Sequence, residues 1–351
     1  MLKNNFLYFK SLFKFGFKIL VLNFKTFKKP FKLTFSLTNR CNSKCKTCNI
    51  WKIKDKKDIS LEELKLFFSK NKSFNWIDLT GGEVFLREDI IEITKIIKST
   101  QKDLFLLHIP TNSLLEKIII KRVREIIKIG FPKVIITISI DGVSKTHNEI
   151  RGINNNWSKA VAVYNELKKM KSKHFDCYFG MTISEFNFRE VDLMYMELKK
   201  YVPGLKITDI HYNLVHYSET YYKNMNQIGD LNRFDKIFKN IVKDKKLSLN
   251  PILSLEVVYQ KLVSLYIKKG SIPVRCRAGE ISVFINENGD IFPCTMWNKK
   301  LGSLRELDYD LNMIKRDYIN TNCNQCWTPC EAYQNIMVDF LKYLKLTSRG
   351  V

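Results

Sequence analysis

The sequence predicts an α/β fold, a partial (β/α)6 TIM-like barrel followed by a small cysteine-rich unit. Three observations carry that expectation. From Leu33 onward, strand-like and helix-like stretches alternate six times, which calls for a parallel sheet with right-handed crossovers. Chemically distinctive residues recur at the C-terminal ends of the strands, the face on which such barrels carry their chemistry. From Arg275 the pattern gives way to hairpin, loop and clustered cysteine.

Taken in order, residues 33–37 read as the first strand, followed by a loop with three cysteines. A helix over 61–70 comes next, with Ser60 as N-cap and Glu63 three residues on to complete a capping box. The second strand, 76–79, runs into Thr80-Gly81-Gly82-Glu83. A helix over 88–97 leads to a third strand, 104–109, which Pro110 is expected to stop. After a helix over 115–129, Gly130 and Pro132 punctuate before a fourth strand over 134–140. A long loop then precedes a helix over 157–170, a strand over 177–183, a helix over 188–201 and a sixth strand over 207–212. Four segments result: a basic N-terminal stretch (1–32), the barrel (33–215), a helical connector (216–274) and the cysteine-rich unit (275–351).

With 351 residues, 45% of them hydrophobic, the chain can bury a large core. The net charge of +24 invites a nucleic-acid reading, but the lysines are scattered and no recognition-helix or RNP-type signature accompanies them. No specific nucleic-acid partner is expected. No stretch reaches the roughly 20 apolar residues that span a bilayer. Residues 1–32 hold eight Lys, eight Phe and no acidic residue, with Lys10, Lys14 and Lys18 at helical spacing. Such a helix either lies on an anionic membrane surface or packs on the protein itself. Clustered thiols in a chain without a signal peptide point to the cytoplasm, with the inner face of the membrane as a peripheral resting place.

Eight of the nine cysteines fall in two groups. Cys41, Cys45 and Cys48 form CxxxCxxC, three thiols in eight residues. A cubane [4Fe–4S] cluster takes four ligands, so three in one loop leave one iron open to an outside ligand. Zinc favours CxxC pairs and a closed tetrahedral set, for which no fourth ligand lies nearby. In the second group, Cys276 and Cys294 flank the expected hairpin of 282–285 and 290–292, turned at Asn288-Gly289, and Cys323, Cys326 and Cys330 follow. A zinc ribbon also suits that C-x2-C pair.

CxxxCxxC after the first strand of such a barrel resembles the signature of the radical S-adenosylmethionine (SAM) superfamily. The order of later marks resembles it too. Gly81-Gly82-Glu83 is similar to the family's SAM-amino-group motif, with Val84 in place of the usual Pro. Thr111-Asn112-Ser113 is similar to its turn after strand three, Ser139-Ile140-Asp141-Gly142 to its ribose-binding segment, and Arg151 to its carboxylate-facing arginine. The resemblance departs at Thr47, where an aromatic residue normally packs on adenine; Ile50 or Trp51 is the expected substitute. The C-terminal group resembles a SPASM/twitch extension, but five cysteines suffice for one auxiliary [4Fe–4S] cluster, held by Cys276, Cys294 and two of Cys323, Cys326 and Cys330.

The resemblance implies reductive cleavage of SAM to a 5′-deoxyadenosyl radical, hydrogen abstraction from a substrate, and an electron donor such as flavodoxin or ferredoxin. It leaves the catalytic acid or base open. A sugar, lipid or other small molecule is slightly favoured as substrate over a peptide, because no room for a leader-binding domain precedes residue 33 and Thr295 stands where sulfatase-type maturases carry an acidic residue. The alternatives are a peptide-modifying maturase and, from another class, a non-catalytic iron–sulfur carrier or scaffold. Elsewhere, Cys177 reads as a buried thiol and His108 as a satisfied core histidine. His211 and His216 are placed near the open face, and Trp327 is expected to shield the auxiliary cluster.

Overall fold

The structure, a computed structural model, describes residues 2–24, 29–55, 58–224, 231–243, 245–248, 250–314 and 323–339. It opens on helix α1 (Leu2–Leu22), then builds the sheet one βα unit at a time. Strand β1 (Lys32–Thr38) is followed by α2 (Leu61–Lys70), whose Ser60–Glu63 capping box forms as expected. Next come β2 (Trp76–Gly81), α3 (Ile90–Thr100), β3 (Leu106–Thr111), α4 (Glu116–Lys128) and β4 (Lys133–Ser139). Helices α5 (Ser144–Arg151) and α6 (Asn156–Lys168) lead to β5 (Phe175–Ile183), α7 (Val191–Tyr201) and β6 (Ile210–Leu214). The connector holds α8 (Asn232–Lys243) and α9 (Pro251–Lys269). The C-terminal part supplies β7 (Ser282–Ile285), β8 (Asp290–Phe292), β9 (Gly302–Ser303) and α10 (Pro329–Val338).

All nine strands join one sheet in the order β6-β5-β4-β3-β2-β1-β7-β8-β9. The first six are parallel, and β1 pairs on its other edge with β7, also parallel. The barrel is therefore partial, and the predicted hairpin extends its sheet instead of standing apart from it. Alternation along each strand divides the sheet's two faces. Leu33, Phe35 and Leu37 of β1 enter the core with Ile77 and Leu79 of β2 and Val134, Ile136 and Ile138 of β4. The residues between them (Lys32 and Thr34, Asp78 and Thr80, Thr137 and Ser139) face an interior cavity. A second apolar cluster closes the strands' N-terminal end, where Phe15 and Leu22 of α1 pack with Phe31, Trp76, Phe105 and Tyr178.

Three expectations are corrected. β3 runs through Pro110 to Thr111: its pairing with β2 ends at His108 while pairing with β4 continues, so the missing proline N–H falls beyond the β2 ladder. The long loop after the fourth strand contains α5, ended by Gly152 in the left-handed region (φ 65°). The sixth strand begins at Ile210, because residues 207–209 make a 3-10 turn.

Candidate active site and a second cysteine cavity

Two cavities divide the clustered cysteines. The larger, about 310 Å³, lies inside the barrel and is lined by Cys41, Cys45 and Cys48. The second, about 230 Å³, is lined by Cys276, Cys294, Cys323 and Cys326, together with His216, Met296 and Trp297. Cys330 lines the first cavity instead. The position of Cys330 in the second turn-residue of α10 turns it toward the barrel, and its carbonyl accepts a hydrogen bond from Lys32 Nζ. Spacing alone left three candidates for two places; Cys323 and Cys326 line the second cavity with Cys276 and Cys294, and Cys330 does not.

The first cysteine loop is tied down by backbone bonds with the end of α5 and with the chain just after β2. Lys44 and Lys46 donate to the carbonyls of Arg151 and Ile150 (2.9 and 2.8 Å), and Gly82 and Glu83 donate to those of Thr38 and Arg40 (2.8 Å each). Asn224 fastens the far side by donating to the Thr47 carbonyl (2.6 Å). Gly82 is required by close approach: a Cβ there would stand 2.1 Å from the Arg40 carbonyl oxygen. Gly81 has φ +132°, which only glycine adopts readily. The Gly-Gly pair thus lets β2 end directly against the cysteine loop.

The remaining candidates gather around the same cavity. Gly81, Gly82, Glu83, Asn112, Ser139, Asp141 and Arg151 all line it. Glu83 is buried and accepts from Thr111 Oγ1 (3.0 Å) and the Asn112 N–H (2.7 Å); burial raises its carboxyl to about 7. Asn112 Nδ2 donates to Asn42 Oδ1 (2.7 Å) beside Cys41. Arg151 Nε lies 2.7 Å from Asp141 Oδ2, and its other arm reaches Cys45 Sγ at 3.5 Å. Burial opposes the guanidinium charge, but the Asp141 carboxylate and the neighbouring thiols hold Arg151 above the ordinary arginine value. His147 accepts from the Asp141 N–H (2.9 Å), and burial, with Arg151 nearby, lowers it to about 3, so it stays neutral. Burial also pushes Cys41 up to about 11 and Cys48 up to about 12. Such thiols ionise when a metal takes the place of the proton.

Ile50 and Trp51 line the cavity beside Thr47, where the missing aromatic residue was to be replaced. Sequence reasoning missed Tyr221 and Tyr222, which enter from the connector, and the inner row Lys32, Thr34 and Asp78. That row had a signal: polar residues alternate with Leu33, Phe35 and Leu37 along a strand buried on both faces. His108 is satisfied as expected, between Asp78 Oδ1 (3.1 Å) and Thr137 Oγ1 (2.9 Å), yet it also lines the cavity. His211 lines it too, whereas His216 lines the second cavity. Cys177 is buried in the core. Trp327 does not line the second cavity; it stacks on Tyr259, and Met296 and Trp297 take the wall instead.

Residues 35–198 match the model of the Radical SAM superfamily. They form a radical SAM domain. The chain is 24% identical over 294 residues to the antilisterial bacteriocin subtilosin biosynthesis protein AlbA of Bacillus subtilis (strain 168), covering 81% of this chain and 59% of that one. It is 29% identical over 167 residues to the sporulation killing factor maturation protein SkfB of the same strain, covering 46% and 38%. The chain thus spans less than two thirds of either relative. Streptococcus suis SuiB, solved with S-adenosylmethionine bound, shares the fold at a TM-score of 0.55 and 15% identity, over 84% of this chain and 67% of that one.

Radical SAM domains use a [4Fe–4S] cluster and SAM, and the residues of this one fit both. Three thiols, Cys45 buried and Cys41 and Cys48 partly so, line a single cavity. Among the described residues no group of three or more such side chains is placed to hold a single metal ion. Buried polar atoms without a protein partner, Thr34 Oγ1 and Asn213 Oδ1, line the same space. The four thiols of the second cavity match the ligand count of an auxiliary cluster.

Proposed function

We propose that this chain is a radical SAM enzyme with one auxiliary cluster and that its substrate is a peptide. The observation that supports the enzyme class most is the sorting of the thiols, three in the barrel cavity and four in a separate one. A bound cluster with SAM at its open iron supplies one-electron cleavage of SAM to methionine and a 5′-deoxyadenosyl radical that removes hydrogen from substrate. The protein's part is binding and shielding. Cys41, Cys45 and Cys48 would ligate that cluster and leave one iron open. Arg151, now paired with Asp141, meets the SAM carboxylate by charge-assisted bonds. Glu83 faces the amino group, Gly81 and Gly82 admit it, and Asn112, Ser139 and Asp141 serve the nucleoside end. Ile50 and Trp51 supply the adenine wall. Cys276, Cys294, Cys323 and Cys326 would hold the auxiliary cluster.

The peptide reading rests on the two relatives, one named for bacteriocin biosynthesis and one for killing-factor maturation. Against it stood only the expected lack of a leader-binding segment and of an acidic residue at Thr295. An electron donor of flavodoxin or ferredoxin type belongs to the same reading. So does a peripheral contact with anionic membrane, supported by the outward aromatic face of α1.

Anaerobic reconstitution tests the assignment. The protein should bind about eight irons as two cubanes, and the triple change of Cys41, Cys45 and Cys48 to Ala should leave about four. Cys326→Ser should disturb the auxiliary site, whereas Cys330→Ser should keep about eight irons. With dithionite, the loaded protein should form 5′-deoxyadenosine, faster when a peptide encoded beside it is added. Zinc in place of iron, or iron loss on Cys330→Ser, would overturn the assignment.

A further inference from the structure

Beneath the barrel cavity lies a second, apolar space of about 230 Å³, between α1, the N-terminal strand ends and the chain from Pro251 to Glu256. Its apolar walls include Leu12, Ile19, Phe105, Ile135 and Leu255. Trp76, His108, Thr137, His211 and Tyr333 line both spaces, so the two meet at a polar collar inside the barrel. A cavity of about 150 Å³ with such walls holds benzene. This one has room for a larger aryl or branched aliphatic group.

Two further features mark it as a site and not a packing defect. Gly16 of α1 lies at the exposed mouth of the space, and a Cβ added there would meet nothing within 4 Å. Glycine is a poor choice in a helix interior, where an alkyl side chain would favour the helix and narrow this opening. At the collar, His211 Nε2 is buried and has no hydrogen-bond partner. Its ring is fixed by stacking on Tyr178 at 4.3 Å, and burial lowers its pKa to about 3, leaving a neutral imidazole facing both spaces.

We infer that the space under α1 receives the apolar arm of the substrate, an aryl or branched aliphatic group with a hydrogen-bonding function where it passes His211. The reacting carbon then stays in the barrel cavity while the arm fixes its depth. Only the word substrate rests on the proposed enzymatic reading; the pocket stands on its own geometry.

The neutral fluorophore N-phenyl-1-naphthylamine probes the pocket in the full chain, with 1-octanol as competitor. Saturable binding is expected, displaced by octanol and weakened about tenfold or more by Gly16→Phe, whose ring stands at the mouth of the space. Gly16→Leu guards against misfolding in the larger variant and should weaken binding while iron content is kept. His211→Phe should leave probe binding in place but raise the KM for substrate more than it lowers kcat. Phe17→Ser, on the side of α1 away from Leu12, Phe15 and Ile19, should change nothing in probe binding. Absence of saturable binding, indifference to both Gly16 variants, or loss of binding on Phe17→Ser would overturn the inference. None of these outcomes bears on iron content or SAM cleavage, so this pocket and the enzyme class fail separately.

Discussion

At the residue scale, the pairing of Arg151 with Asp141 is the most informative contact of the site. Asp141 is buried and Arg151 half-buried, and the Asp141 carboxylate offsets the guanidinium charge before any ligand arrives. Arg151→Ala should weaken SAM binding by about 1.5–3 kcal/mol, the worth of a hydrogen bond to a charged group, as measured by anaerobic calorimetry. Asp141 would be left without its cation, so part of any stability loss belongs to it. Binding like that of the parent would remove Arg151 from the SAM site. Most candidates were legible because they follow strand ends in an order that spacing preserves, Arg151 alone closing the helix α5. The Arg151–Asp141 ion pair was not legible, since nine residues, most of them in that helix, lie between its partners. The sorting of Cys330 away from Cys323 and Cys326 was likewise illegible: one turn at the start of α10 decides it, and spacing carries no direction.

Elements with strong apolar periodicity were read nearly to the residue, α2 with its capping box above all. The helix α5 was missed because only His147 and Ile150 of its eight residues are buried, too few to impose a period. The segment before residue 33 was read as a basic amphipathic helix with two possible resting places, and α1 uses one of them in full. Phe15 and Leu22 pack into the barrel's floor, while Lys14 bonds Asp103 and Lys18 bonds Asn75. The opposite face keeps Phe9, Phe13 and Phe17 between 54% and 77% exposed. No helix among the described residues is long and apolar enough to cross a membrane. The proposed contact with an anionic membrane surface would use this outer face. Changing Phe9, Phe13 and Phe17 together to Ser should abolish co-sedimentation with anionic vesicles and leave the melting temperature nearly unchanged. Parent binding should fall as salt rises, because the Debye length shrinks from about 10 Å at 0.1 M to about 3 Å at 1 M. Equal, weak sedimentation of both proteins at every salt concentration would end the membrane reading.

At the scale of the whole molecule, the C-terminal unit is built into the barrel. β7 covers the edge of β1, Phe31 and Lys32 donate to the Ile281 carbonyl (3.0 and 3.1 Å), and Glu331 accepts from Ser282 Oγ (2.6 Å). Lys32 is the pivot. Its ammonium is buried, lies 3.2 Å from Asp78 Oδ2, donates to Gln334 Oε1 (3.2 Å) and reaches the Cys330 carbonyl. Burial opposes its charge, but Asp78 and Glu331 raise its pKa; in return Lys32, with His108, outweighs burial and draws Asp78 down to about 2. Lys32→Met should therefore cost about 3–5 kcal/mol, because Asp78 keeps a buried charge without its partner. The sign with pH follows from the depressed Asp78 value. Its stabilising contribution is complete above the ordinary carboxylate range and is lost as pH falls toward 2. In Lys32→Met that contribution disappears, so the deficit relative to the parent should be largest near pH 7 and shrink on acidification. Denaturant titrations of the two proteins across that range measure it. A single unfolding transition, with α10 and the barrel melting together, is expected in the parent. A deficit that grows toward low pH would show that Lys32 does not hold Asp78 in its charged form.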